Sequence, residues 1–285
     1  MFHLIGYEQN IRNTILLSKK YAEKSIESQE DLKKAYEAFL RSYQPHVPNR
    51  AIEQQLFVED DQTEQILINL FNIPDLLLDD RQKGQLISGH YSKEEKNLRK
   101  LKSRKAIEIL AQRNPFIAET LNLVINHIFF ADSKTNGGTT SAAVGVIWSS
   151  NKLTWTEFDT AEFLVHELTH NLAFIDELCH KYFCNYLLLS SKENFAFSAI
   201  LNTKRPLDKV IHSIFVASEI LSLRKRLFSD MCTFKAHPPT SILEAQMLQA
   251  IDSVMNLPSR DELLTPHVLD LLSKCKTLTA EPCLV

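Results

Sequence analysis

Apolar residues recur with helical spacing along most of the chain, and this pattern predicts a mainly α-helical protein. Residues 1 to about 128 have the pattern of a series of helices, with breaks near residues 44–48 and 72–74, where prolines interrupt the spacing. Helical spacing returns from Pro206 onward, with breaks at residues 237–239 and 257–258. Glycine is scarce, at six residues, which also favours long helices over frequent turns.

The pattern changes in the middle of the chain. Residues 124–130 and 142–148 are rich in β-branched and aromatic side chains, and the glycine pair within residues 136–139 is typical of a turn. These features predict an antiparallel pair, or two edge strands of a small sheet. Asp159, with Glu162 three residues later, is then typical of the start of a long helix. The predicted fold class is therefore mainly α with a small central β-sheet (α+β).

The long helix carries the sequence His166-Glu167-Leu168-Thr169-His170. Residues four apart lie on the same side of a helix, so the two imidazoles can share one metal ion. Glu167 is rotated by one position and can reach a metal-bound water, so we predict a catalytic role for it. A β edge strand before such a helix is a zincin-like placement. The alternative is a pair of solvent-facing histidines on an amphipathic helix.

Two histidines do not complete a metal site, so a third ligand is expected. Glu177 lies seven residues beyond His170, roughly 10 Å along the helix axis, whereas metal–ligand bonds are about 2 Å. The ligand should therefore come from a later segment. The candidates are His212, Glu193 and Glu219.

Composition excludes several other classes of protein. Lys and Arg (32) nearly balance Asp and Glu (35), for a net charge of -3, which argues against a nucleic-acid partner and gives no reason to expect a membrane partner. The amino-terminal residues lack the apolar stretch of a signal peptide. The five cysteines are an odd number without paired spacing, as expected in a reducing compartment. We therefore expect a cytoplasmic protein.

This sequence resembles the HExxH-motif peptide-modification proteins in two segments. The first is the motif helix, and the second is Arg205-Pro206-Leu207 followed by His212. That family is described as Fe(II)- and 2-oxoglutarate-dependent peptide β-hydroxylases, and the resemblance covers about residues 141–221. It implies Fe(II) and 2-oxoglutarate as cofactors and a ribosomally synthesised precursor peptide as partner. Within it, His166, His170 and His212 would hold the metal. We expect a single catalytic domain over residues 1–285, with a helical N-terminal part (1–120), a metal-site core (121–230) and a helical C-terminal part (231–285).

Two further expectations concern the ligands of such an enzyme. A guanidinium matches a carboxylate bidentately, so we expect Arg205 to bind the distal carboxylate of 2-oxoglutarate, with Lys204 as the neighbouring alternative. We also expect the peptide to lie along an exposed edge strand at residues 141–148, in contact with Gly145 and Val146. If that strand is an inner one, Gly145 serves packing instead.

Two other functions stay open on the sequence alone. The first is a zinc metallopeptidase of gluzincin type, in which Glu167 is the general base and Glu193 or Glu219 completes the zinc site. The second is a non-catalytic peptide-binding protein that retains a relic of the site.

Overall fold

The computed structural model describes residues 1–49, 56–73, 87–231 and 233–280, and helices dominate these ranges. The helices are α1 (Phe2–Ile5), α2 (Tyr7–Ser18), α3 (Gln29–Tyr43), α4 (Asp61–Phe71), α5 (Lys93–Arg113), α6 (Pro115–Val124), α7 (Glu157–His180), α8 (Leu207–Leu227), α9 (Thr240–Met255), α10 (Arg260–Leu263) and α11 (Pro266–Ala280). The strands are β1 (Ile87–His90), β2 (His127–Ser133), β3 (Gly137–Gly138), β4 (Val146–Ser149), β5 (Ala196–Phe197) and β6 (Lys204–Arg205). The prediction of a mainly α protein with a small sheet is confirmed.

The predicted helix breaks agree with this architecture. Helix α3 ends before residues 44–48, and residues 237–239 separate α8 from α9. Helix α4 ends at Phe71, although Pro74, which we expected to end it, lies outside the described residues. No helix in the described part of the chain is long and apolar enough to cross a bilayer.

The central sheet has the strand order β1-β2-β4-β3. Strands β2 and β4 run parallel, with His127 opposite Val146, whereas β1 pairs antiparallel with β2 and β3 pairs antiparallel with β4. The predicted antiparallel pairing of the two central segments is therefore wrong. The roughly dozen residues between them are long enough for the crossover that a parallel pair requires. They include β3 and a 3₁₀ turn at Ser141–Ala143.

Strand β4 lies between β2 and β3, so the expectation of a peptide along its exposed edge is wrong. Gly145 is buried at its start, with φ +85°, and its backbone N–H donates to Asn171 Oδ1 at 2.6 Å. A Cβ at this position would come within 3.0 Å of the Val124 carbonyl, so glycine is required for packing. Val146 is also buried, and its carbonyl accepts a hydrogen bond from the Thr139 hydroxyl.

Helix α7 begins one turn earlier than the sequence suggested. Its N-cap is Thr156, whose hydroxyl accepts from the Asp159 N–H, while the Asp159 carboxylate accepts from the Thr156 N–H. Asp159 is therefore the third helical residue of a capping box and not the cap itself. Glu162, which had been expected to complete that box, is fully buried further along the helix and takes other partners.

Helix α7 is the central element of the fold, because α2, α5, α6 and α8 all pack against it. Four apolar residues on one side of this helix, Leu164, Leu168, Leu172 and Ile175, are each 1% exposed. Polar residues on its other faces are buried as well, including Asn171 at 0%. The interpretation of solvent-facing histidines on an amphipathic helix therefore does not apply.

Asn171 connects α7 to the sheet. Besides accepting from the Gly145 N–H, it donates from Nδ2 to the Thr139 hydroxyl at 3.1 Å and to the Glu167 carbonyl at 2.9 Å. These bonds hold the segment from Gly137 to Ser141 beside the turn of α7 that carries the motif.

We expect Asn171→Ala to lower the free energy of unfolding by roughly 2–4 kcal/mol, because it leaves the buried Gly145 N–H without an acceptor. Urea unfolding monitored by circular dichroism measures the change. Asn69→Ala is the matched control, since Asn69 is exposed on α4, and its effect should stay below about 0.5 kcal/mol. Equal effects of the two substitutions would show that Asn171 is not a structural link.

Candidate metal centre

A cavity of about 770 Å³ opens along one side of α7, and His166, Glu167 and His170 line it. The β3 segment from Gly137 to Ser141 forms one wall. Much of the remaining wall is apolar or aromatic, contributed by Tyr43, Phe174, Leu178, Phe183, Tyr186, Leu189, Ile200 and Leu201. The volume is typical of small-molecule sites, and mainly apolar walls with a few polar groups are their usual composition.

The two motif histidines face each other at this cavity, with 3.1 Å between their Nε2 atoms. Two ligands that each lie about 2.1 Å from one ion, at about 90–110° around it, are separated by roughly 3.0–3.4 Å. The observed separation therefore suits adjacent ligands of a single ion. The helical spacing of four residues brings the side chains to this distance, as the sequence predicted.

Both imidazoles are held in the neutral form, which is the form that binds metals. Burial lowers the pKa of His166 well below its usual value, and the neighbouring His237 lowers it further. Burial also lowers the pKa of His170, with additional effects from the adjacent histidines and from the Arg205 guanidinium. Neither histidine therefore needs to lose a proton to solvent before it offers a lone pair.

His212, on α8, reaches the pair from the opposite wall. Its Nδ1 lies 3.1 Å from Nδ1 of His170, the ring nitrogen that does not face His166. Its Nε2 lies 3.9 Å from a Glu177 carboxylate oxygen. Among the described residues, no three histidine, cysteine, aspartate or glutamate side chains converge on one point. For His212 to bind the same ion as the other two, an imidazole ring must turn.

The other two candidate ligands lie elsewhere. Glu193 is exposed in a 3₁₀ turn (Lys192–Asn194) and does not line the cavity. Glu219 is fully buried on α8, where its two carboxylate oxygens accept from the backbone N–H groups of His3 and Leu4 at 2.9 and 2.8 Å. Its role in the fold is to hold α1 against α8.

Glu167 is a buried carboxyl group at the cavity wall. Its Oε2 atom has no hydrogen-bond partner, and its Oε1 lies 3.8 Å from Nε2 of His166. Burial raises the pKa of Glu167 to about 8. An unpaired buried carboxylate is unfavourable unless a proton or a cation compensates its charge. This orphaned oxygen, beside two neutral imidazoles, fits a divalent cation in the cavity.

Arg205 lies in β6, directly before α8, and lines the same cavity as His170 and His212. Strand β6 is held by pairing with β5, which aligns Arg205 with Ala196. Lys204 points to the other side of this strand, with its ammonium 5.9 Å from the centre of the Phe197 ring. Of these two candidate cations, it is Arg205 that lines the cavity.

His237 is a site residue that the sequence analysis did not identify. It lies in the segment between α8 and α9, and its Nε2 is 2.6 Å from Nδ1 of His166. Its Nδ1 is 2.7 Å from Glu162 Oε1. The only local feature that points to this contact is that Glu162 and His166 lie four residues apart, on one face of the helix. Nothing in the sequence pairs either residue with one more than 70 positions away.

No protein-family profile matches this chain, and a search of curated proteins finds no relative. The assignment of a function therefore depends on the geometry of the cavity and on the resemblance carried by the motif.

We expect the protein to bind one divalent ion per chain, and His166→Ala or His170→Ala to weaken binding by at least roughly 100-fold, because each removes a ligand. Titration with Co(II), followed by its visible absorption, measures the affinity. Glu193→Gln is the control and should bind as the unaltered protein does. His212→Ala identifies the third ligand: an unchanged affinity would exclude His212 from the site.

Proposed function

We propose that this protein is an Fe(II)- and 2-oxoglutarate-dependent oxygenase that hydroxylates the β-carbon of a residue in a ribosomally synthesised peptide. The observation that supports this proposal best is that one cavity is lined by His166, His170 and His212 together with the guanidinium of Arg205. An oxygenase of this class needs a few protein ligands on one side of the metal and a cation for the co-substrate.

In this proposal His166 and His170 would hold the iron, and His212 would be the third ligand once an imidazole ring has turned. When bound, the iron and 2-oxoglutarate supply the oxidising chemistry that activates a C–H bond. Arg205 orients the co-substrate by pairing with the carboxylate distal to the metal. A guanidinium stays charged and can form two parallel hydrogen bonds, so it fixes both position and rotation.

The cavity also suits a peptide. Many of its walls are apolar, and its volume exceeds what a dicarboxylate alone would fill. The expected peptide site at Gly145 and Val146 is not available. The wall from Gly137 to Ser141 is the alternative, since β3 has no second neighbouring strand in the described part of the chain. An extended peptide could add its main chain to that edge.

A zinc metallopeptidase is the second candidate, and the position of Glu167 favours it. A carboxyl group 3.8 Å from a ligand nitrogen, with one oxygen unpaired, can act as a general base toward a metal-bound water. Neither Glu193 nor Glu219, the two glutamates expected to complete a gluzincin site, lines the cavity.

The two functions predict different products from one experiment. The protein is loaded anaerobically with Fe(II), then given O₂, 2-oxoglutarate and a candidate precursor peptide, and the products are examined by mass spectrometry. We expect one added oxygen atom on the peptide, with consumption of 2-oxoglutarate. Peptide cleavage by the zinc-loaded protein, without a keto acid, would instead establish the peptidase.

We expect Arg205→Ala to raise the 2-oxoglutarate concentration needed for half-maximal activity by roughly 10- to 100-fold, because the distal carboxylate loses its charged partner. The Co(II) affinity should not change. Lys204→Ala is the matched control, since this neighbouring cation does not line the cavity, and it should behave as the unaltered protein. An unchanged 2-oxoglutarate requirement in Arg205→Ala would refute the assignment.

A further inference from the structure

Behind His166, on the side away from the cavity, lies a buried chain of polar side chains. Nε and Nη2 of Arg224 donate to the two oxygens of Glu162 at 2.6 and 2.9 Å. Glu162 Oε1 meets Nδ1 of His237, and Nε2 of His237 meets Nδ1 of His166. Glu162 is fully buried, Arg224 is 4% exposed and His237 is 9% exposed.

The Arg224 end of this series of hydrogen bonds determines which atom donates and which accepts in each bond. A carboxylate paired with a guanidinium can only accept hydrogen bonds, so Nδ1 of His237 must carry the proton it shares with Glu162. The tautomer of His237 with its proton on Nδ1 leaves Nε2 as an acceptor.

The acceptor nitrogen of His237 in turn determines which ring nitrogen of His166 carries the proton. Nδ1 of His166 donates to it, so the other ring nitrogen, Nε2, carries the lone pair. Nε2 is the atom that lies 3.1 Å from Nε2 of His170 at the cavity.

We propose that Arg224, Glu162 and His237 form a positioning chain that fixes His166 in the tautomer with its proton on Nδ1 and its Nε2 lone pair directed at the cavity. The chain also fixes the ring orientation, since Arg224 Nη1 donates to the carbonyl of Pro238, the residue that follows His237. This inference deepens the proposed function, because its purpose is to present a metal ligand. The tautomer itself exists whether or not a metal binds.

The first test reads the tautomers directly in the metal-free protein. Long-range ¹H–¹⁵N correlation spectra of histidine-labelled protein at near-neutral pH distinguish the two neutral tautomers and the imidazolium. His166→Gln and His237→Gln identify the two sets of signals. We expect both histidines to carry their proton on Nδ1. A proton on Nε2 of His166, or a doubly protonated His237, would overturn the proposal.

The second test measures the consequence for a ligand, with Co(II) and Zn(II) as probes in competition with a chelator. His237→Leu and Glu162→Gln should weaken binding by roughly 10- to 100-fold, because they remove the group that orients a ligand. In Glu162→Gln an amide N–H must face a donor of Arg224 or of His237, so at least one hydrogen bond of the chain is lost.

Two further variants separate positioning from a general effect on the fold. A glutamine at position 237 can accept from His166 with its oxygen and donate to Glu162 with its nitrogen, so His237→Gln should keep affinity within about threefold of the unaltered protein. Asp159→Asn removes a buried carboxylate that anchors the same segment without belonging to the chain, and should also leave affinity unchanged.

Equal affinities of His237→Leu and the unaltered protein would overturn the proposal. If the unaltered protein binds neither ion, the metal centre is wrong, and the tautomer spectra still decide the direction of the chain. The failures of the two proposals are therefore distinguishable.

Discussion

Helix α7 is packed on nearly all sides, and this burial constrains the rest of the structure because every polar side chain on the helix must find a partner. Glu162 pairs with Arg224 of α8. Asn171 bonds to the start of β4. Asp176 accepts hydrogen bonds from Asn13 of α2, from Tyr182, and from His267 of α11 near the far end of the chain. Each of these polar contacts fixes the position of a different segment against the same helix.

Glu167 and the two motif histidines depart from this arrangement, and they do so on the cavity side. Glu167 has a buried oxygen without a partner, and the imidazoles of His166 and His170 have each other as neighbours. Such a group of incompletely satisfied polar atoms is unfavourable in a folded protein and is typical of a functional site. The well-paired residues elsewhere on the helix provide the rigidity that holds it in place.

Helix α8 contributes one residue to the cavity and another to the packing of the fold. His212 and Glu219 are seven residues apart, so they lie on the same face about 10 Å from each other. His212 is at the cavity, next to His170. Glu219 lies beyond the end of the cavity, where it accepts the backbone N–H groups of α1. Two residues that appear equivalent as metal ligands in the sequence thus have separate roles, because the cavity ends between them.

The sequence by itself determined those features that depend on neighbours within a few positions. The helical character of most of the chain, the breaks around prolines and the placement of His166 and His170 on one helix side all follow from local spacing. The N-cap was placed one turn late, because Thr156 and Asp159 are both good capping residues; in the structure Thr156 is the cap and Asp159 completes its capping box.

Only the tertiary structure decided the features that depend on distant segments. The parallel direction of β2 and β4 follows from the path of the connecting chain, and it places Gly145 in a buried turn instead of at an open edge. The approach of His237 to His166 depends on the packing of α8 against α7, since Glu162 of α7 contacts both Arg224 of α8 and His237. Such contacts join residues far apart in the chain, and hydrophobic spacing along a sequence carries no information about which distant polar groups will be buried together.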